Sequence, residues 1–336
     1  MTTLPKLQFL LVVLILGFLT GPRVLLAIQK LTPNDGTSTS QNSAQIVGMG
    51  EQPASQRIKN ITKASPFDDL ALTGSSIYVW DIATHKKLYG KNEQVQLPLA
   101  SVTKIMMALV AIELLPKNTK ITIRPIDLLE EGDSGLFVGE KWRFDELLKF
   151  TLVTSSNDGA SAIAGVAGAS LLRNASSTDA LTNKKLFILR MNEKAKEIGL
   201  DNTYFSNESG LDIESLTSGA YGSARDMAML FEYVFKKHPD LFTSTAQSSL
   251  SLKSENNIVH RVTNTNPEVS RINGIIGSKT GYTELAGGNL VVVVDIGIDH
   301  PVVISVLGST RDGRFTDVEK LINASVKSIT MESTSK

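Results

Sequence analysis

The sequence predicts an α/β (α+β) chain, with one antiparallel sheet and helices packed on both of its faces. Three observations predict it. A β-hairpin signal opens the folded part, helical periodicity fills the middle, and β-type runs followed by an amphipathic helix close it. Strands at both ends with helices between them fit a single sheet assembled from the two ends of the chain.

The hairpin consists of the β-rich run Ser75–Ile82, the turn-like Thr84-His85-Lys86-Lys87 and a resumption at Leu88-Tyr89. Apolar residues then recur at helical spacing over Ser101–Leu115, Asp145–Thr154, Gly159–Leu172, Lys184–Ile198 and Ala224–Phe235. The late strands are Ile275–Thr283, Asn289–Asp295 and Val302–Leu307, with Gly287-Gly288 as the turn between the first two. A last helix spans Gly313–Val326 and carries Phe315, Val318, Leu321 and Ile322 on one face.

Ahead of this folded part, Lys6 is followed by a run from Leu7 to Gly21 that only Gln8 and Thr20 interrupt. One positive charge before so short an apolar run fits a signal peptide, or an amino-terminal membrane anchor, over residues 1–28. Ala27 is small but Leu25 is not, so the small-x-small cleavage pattern is missing and retention through residues 7–28 is the expectation. From Leu19 to Pro66 there is no aromatic residue and polar residues dominate. Residues 29–66 therefore read as a flexible linker, because such a segment cannot bury enough apolar surface to offset its ordering entropy. The expected organisation is completed by a catalytic domain at 67–330 and a disordered tail at 331–336.

Composition excludes several chemistries. Lys+Arg and Asp+Glu both total 34, so the basic surplus that usually marks a nucleic-acid partner is absent. There is no cysteine, hence no disulfide, thiolate metal site or cysteine nucleophile. His85, His238, His260 and His300 are scattered without metal-ligand spacing, and no metal or other cofactor is expected.

Three short motifs carry chemistry: Ser101-Val102-Thr103-Lys104, Ser155-Ser156-Asn157 and Lys279-Thr280-Gly281. Each is weak alone, since Ser333-Thr334-Ser335-Lys336 repeats the first pattern at the carboxyl end. Ser101 opens the first helix, and a spacing of three puts the Lys104 amine beside the Ser101 hydroxyl. A serine hydroxyl needs a base in contact, and a lysine serves only when its amine is neutral, through burial or a nearby cation such as Lys279. The middle motif links two helices. There Ser155 can relay a proton to a leaving group and Asn157 can bind substrate or orient Lys104, while Ser156 to Asp158 can equally cap the next helix. On a strand, Lys279 and Gly281 share one face. The glycine permits close backbone approach, the lysine attracts a carboxylate, and a substrate peptide can add along that edge.

These motifs in their contexts, PLASVTKIMMAL, VTSSNDGA and GIIGSKTGYTELAGGNL, resemble those of the D-alanyl-D-alanine carboxypeptidases, the low-molecular-mass penicillin-binding proteins of the S11 serine peptidase type. The resemblance extends to DIATHKKLYGKNEQ, MNEKAKEIGLDNTYFSNESGLD, SARDMAML, the NTN at Asn264–Asn266 and VLGSTRDGRFTDVEKL, spanning Ser75 to Val326. It implies a β-lactamase/DD-peptidase-like fold and a peptidoglycan stem peptide as substrate, with β-lactam antibiotics as covalent inhibitors. In that implied scheme Ser101 attacks the penultimate D-alanine carbonyl, Lys104 takes the proton, and Ser155 returns it to the departing D-alanine. Asn157 completes the polar network, while Lys279 and Thr280 hold the terminal carboxylate with Arg311 as a helper. The backbone N–H groups of Ser101 and Tyr282 form the oxyanion hole. One departure is Ser156, where the family more often has glycine or alanine. Another is the lack of a carboxyl-terminal β-domain and anchor, so attachment to the cytoplasmic membrane would come from the amino terminus. The implied location is extracytoplasmic.

Two rival readings share this fold. A class A-like β-lactamase needs a water-activating glutamate in an ExxLN loop, and Glu208, Glu214 and Glu268 lack that context. A catalytically silent cell-wall-binding protein would be suggested by a broken motif, and all three motifs are intact.

Overall fold

The computed structural model describes residues 65–132, 135–172 and 179–333. The expected anchor, and nearly all of the expected linker, lie outside these residues. In chain order the elements begin with β1 (Ser76–Asp81), β2 (Lys86–Lys91), β3 (Leu97–Pro98), a 3-10 turn at Ala100–Thr103, α1 (Lys104–Leu114) and β4 (Lys120–Thr122). A second 3-10 turn at Pro125–Leu129 is followed by β5 (Lys141–Arg143), α2 (Phe144–Thr154), α3 (Asn157–Ser170) and α4 (Ala180–Glu197). Then come β6 (Tyr204–Phe205), β7 (Ala220–Gly222), α5 (Ala224–Lys237), α6 (Asp240–Thr243), β8 (Ser249–Lys253) and β9 (Val259–Thr263). The chain closes with β10 (Ile275–Thr283), β11 (Gly287–Asp295), β12 (Pro301–Ser309) and α7 (Gly313–Ser333).

The central sheet has five antiparallel strands in the order β10-β11-β12-β1-β2, so the first hairpin and the last three strands meet as β1 pairs with β12. Its strands read as near-continuous apolar runs because both faces are covered. Val291, Val293, Val303 and Leu307 face the large core built with α1, α2, α3 and α5. Their neighbours Leu290, Val292, Val294, Val302, Ile304 and Val306 face a second core, which α7 closes with Val318 and Leu321. β10 is left as an edge.

Four local expectations are corrected. Ser101 lies in the 3-10 turn, and the α-helix begins at Lys104. Lys86 and Lys87 belong to β2 rather than to the turn. Gly287-Gly288 is the start of β11, paired with Thr283 and Tyr282, and the turn falls at residues 284–286, closed by Ala286 N–H donating to Thr283 Oγ1 at 3.1 Å. Gly288 is required by close approach instead, since a Cβ there would lie 2.1 Å from the Thr310 carbonyl oxygen. The tail boundary at 331 falls inside α7, which continues to Ser333 because Ile329 still packs against the second core. The β8–β9 hairpin was not expected at all. Its alternation is mostly polar, with only Leu252 and Val262 buried.

Among the described residues no helix is long and apolar enough to cross a membrane.

Candidate active site

Ser101 is presented by a strained approach. Ala100, fully buried, adopts φ 47°, the left-handed region that costs a non-glycine residue about 1–2 kcal/mol. Surrounding contacts hold it there. Asn289 Nδ2 on β11 donates to the carbonyls of Pro98 (2.9 Å) and Leu99 (3.0 Å). Two glycines admit the turn: a Cβ on Gly281 would sit 2.8 Å from Leu99 O and 3.1 Å from Ser101 N, and one on Gly210 would sit 1.9 Å from Ala100 O. The turn is thus gripped between β10 and the loop after β6.

Residues three apart eclipse in a 3-10 turn, so Lys104 falls directly beside Ser101. Its Nζ is 2.9 Å from Ser101 Oγ, 2.7 Å from Asn157 Oδ1 and 3.0 Å from Ser209 O. Lys104 is wholly buried. Burial lowers its pKa to about 7, against the upward pull of Glu208 and Glu130. At neutral pH a large share of the amine is therefore uncharged. Such an amine donates to Asn157 and Ser209 and keeps its lone pair for the Ser101 hydroxyl.

The middle motif divides its roles by backbone geometry. Ser155 ends α2 in the left-handed conformation, at φ 61°, and its Oγ accepts from Lys279 Nζ at 2.9 Å. Ser156 caps α3, with Oγ accepting from Gly159 N at 2.9 Å. Asn157 opens α3 and its Nδ2 donates to Glu131 O at 2.7 Å. Ser156 thus caps the next helix, while Ser155 and Asn157 reach Lys279 and Lys104.

Lys279, on the edge strand β10, is also buried and donates to Thr280 O at 2.8 Å. Burial, then Lys104 and Arg314, push its pKa well down. Burial is the largest cause of the lowering at both lysines. Thr280 Oγ1 lies 2.6 Å from Thr265 Oγ1. Tyr282 carries Arg311 above its ring at 5.0 Å and donates its hydroxyl to Glu284. Arg311 stands exposed at the rim.

Three contributors escape the motif reading. Ser209 and Glu131 act through backbone carbonyls, which no side-chain pattern reveals. Arg314 is buried and donates through Nη1 to Gly281 O at 2.6 Å, whereas the expected helper, Arg311, lies outside. Thr265 was legible only as the centre of the NTN triplet. Among the described residues Arg314 has no carboxylate within ion-pair distance, so its guanidinium gives the cleft a positive charge suited to an anion, while burial depresses both Lys104 and Lys279. Among the described residues no group of three or more His, Asp or Glu is arranged to hold a metal.

Residues 60–311 match the peptidase S11 family, D-alanyl-D-alanine carboxypeptidase. The chain is 31% identical to the D-alanyl-D-alanine carboxypeptidase DacF of Bacillus subtilis over 262 residues, 76% of this chain and 62% of that one. It is 28% identical to DacB2 of Mycobacterium tuberculosis over 236 residues, 70% of this chain and 75% of that one. It spans less than two thirds of the length of DacF. The structure superimposes on a mutant of the Streptomyces K15 DD-transpeptidase with a TM-score of 0.66 at 26% identity, covering 76% of this chain and 98% of that one.

Proposed function

This chain belongs to the D-alanyl-D-alanine carboxypeptidase family, peptidase S11, and from that premise we propose that it removes the terminal D-alanine from peptidoglycan stem pentapeptides through an acyl-enzyme at Ser101. The observation that carries this reading is the buried Lys104 amine, 2.9 Å from Ser101 Oγ with its other two contacts on acceptors.

The chemistry follows from the groups present. Ser101 Oγ attacks the penultimate D-alanine carbonyl carbon as its proton passes to Lys104 Nζ. The oxyanion is held by the backbone N–H groups of Ser101 and Tyr282. The C–N bond breaks, and the proton reaches the departing amine by way of Ser155, which Lys279 orients. Lys104, neutral again, then takes a proton from the water that attacks the ester and returns it to Ser101 Oγ. The products are free D-alanine and a stem shortened by one residue. Lys279, Thr280 and the buried Arg314 form the anion-binding side of the cleft and receive the substrate's terminal carboxylate, with Arg311 at its rim.

A stem-peptide substrate lies outside the cytoplasm, and residues 7–28 are proposed to take the enzyme there and hold it on the membrane. The silent-binder reading is disfavoured because the Ser101–Lys104–Asn157 network is assembled. The β-lactamase reading is disfavoured because, among the described residues, no carboxylate hydrogen-bonds to Ser101, Lys104 or Ser155 to serve as a second base. Glu208, the nearest in character, is turned inward onto Lys184 at 3.3 Å. Mass spectrometry of the purified protein with a synthetic pentapeptide stem tests the proposal. Appearance of the tetrapeptide and free D-alanine supports it, and an unchanged pentapeptide contradicts it.

A further inference from the structure

Behind the base lies an ion cluster that the reaction scheme does not use. Lys184 Nζ, buried on α4, is 2.8 Å from Glu130 Oε1 and 3.3 Å from Glu208 Oε1. Glu130 ends the second 3-10 turn, and Glu208 lies in the loop between β6 and β7. In both loops the very next residue turns its carbonyl onto the catalytic network. Glu131 O accepts from Asn157 Nδ2 at 2.7 Å, and Ser209 O accepts from Lys104 Nζ at 3.0 Å. The two acceptors that orient Lys104, one direct and one through Asn157, therefore hang on loops that Lys184 bridges.

The placement of Lys184 is itself built in. A Cβ on Gly168 of α3 would lie 1.8 Å from Asn183 O, so α3 and α4 touch backbone to backbone one residue before Lys184. The helix whose first residue is Asn157 is thereby coupled to the helix that carries the bridging lysine. A buried ion triad is a weak stabiliser, since desolvating its charges offsets their attraction. Its value here lies in position and in charge.

We propose that Lys184 is a positioning residue: by bridging Glu130 and Glu208 it holds the Glu131 and Ser209 carbonyls that aim the Lys104 amine at Ser101. The inference rests on the reading of Lys104 as the base. It also has an electrostatic side. The charged groups that bear on Lys104 are Glu208 and Glu130, which Lys184 bridges, while Lys279 and, beside it, Arg314 are the cationic groups of the same cleft. Without Lys184 the two carboxylates stand uncompensated and hold Lys104 protonated to higher pH.

The test is the rate constant for acylation by a fluorescent penicillin, measured from about pH 5.5 to about pH 9.5 on the full-length wild type, Lys184→Met and Lys184→Arg. Lys184→Met is expected to acylate about 10- to 100-fold more slowly, as loss of alignment by an ångström would do. Its acidic limb is expected to move to higher pH, and Lys184→Arg to restore both rate and limb. A Lys184→Met protein within about twofold of wild type at every pH overturns the inference. So does one that is slower by the same factor throughout with the limb unmoved, which is what a purely structural role would give. Should Lys184→Met not fold, the Glu130→Gln/Glu208→Gln double variant reads the same coupling: its acidic limb moves to lower pH, and an unmoved limb overturns the inference. A wild type not acylated at any pH would instead overturn the reading of Lys104, and the positioning role with it.

Discussion

Lys104 Nζ lies 2.9 Å from Ser101 Oγ in a fully buried position, one 3-10 turn further along the chain. Burial that lowers the pKa of the amine also burdens the fold, and a role as base and the cost in stability are separable by pH.

Lys104 has a pKa of about 7 in the folded protein against a usual value of 10.5. Between those values the unfolded chain binds more protons, so the folded state's penalty is full below pH 7 and is relieved as pH rises towards 10.5. That penalty is roughly 4–5 kcal/mol at neutral pH. Lys104→Met removes it, but leaves Asn157 Oδ1 and Ser209 O without their donor, a cost of about 1–3 kcal/mol. The variant is expected to be more stable than wild type by about 1–4 kcal/mol at pH 7 in denaturant unfolding, with the gain shrinking towards pH 10. Acylation should fall by about 10²- to 10⁴-fold. A variant less stable than wild type at pH 7 contradicts the burial account.

Lys279 supplies the second prediction. If it receives the terminal carboxylate, Lys279→Ala loses about 2–4 kcal/mol of transition-state stabilisation in kcat/KM. A substrate with an amidated end is expected to be poor for wild type yet little worse for the mutant. Equal sensitivity to amidation in both proteins would assign Lys279 to Ser155 alone, its 2.9 Å partner.

The grip on the Ser101 turn gives the third. Gly210 has φ 78°, and an added Cβ would meet Ala100 O at 1.9 Å. Gly210→Ala is therefore expected to cost about 2–4 kcal/mol of stability and to abolish labelling by penicillin. Gly281→Ala meets milder contacts, 2.8 Å with Leu99 O, 3.1 Å with Ser101 N and 3.2 Å with Ala100 Cβ, at an ordinary strand position. It should stay folded but acylate slowly, and normal acylation would show that the approach of β10 to Ser101 is not needed.

How much of this site the sequence carried depends on what kind of group does the work. The meeting of Ser101 and Lys104 was legible because spacing on a helical turn predicts it, whereas Lys279 was marked by its Lys-Thr-Gly triplet and its contact with Ser155 was not foreseen. The sheet built from both chain ends was legible because apolar runs marked its strands. Ser209 O and Glu131 O were not, since a carbonyl delivered by a loop leaves no residue-type signature. Arg311 was singled out and Arg314 was not, although Arg314 is the buried one that reaches Gly281 O, because the start of α7 decides which arginine turns inward. The β8–β9 hairpin escaped because its strands bury so little that their alternation is mostly polar.

The fourth prediction concerns turnover. A β-lactam keeps its leaving group tethered in the cleft, where it obstructs the water, whereas D-alanine departs. Among the described residues no carboxylate contacts Ser101, and Glu208 is held by Lys184. One equivalent of penicillin should be consumed in a burst followed by very slow turnover, alongside steady D-alanine release from pentapeptide. Penicillin turnover faster than D-alanine release would favour a β-lactamase.

The central claim is an acyl-enzyme on Ser101, and peptide mapping of the penicillin-labelled protein tests it most directly. The account predicts a single covalent adduct on the peptide that contains Ser101, absent from Ser101→Ala. An adduct on any other residue, such as Ser333 of the second Ser-x-x-Lys pattern, or labelling that survives in Ser101→Ala, would contradict it.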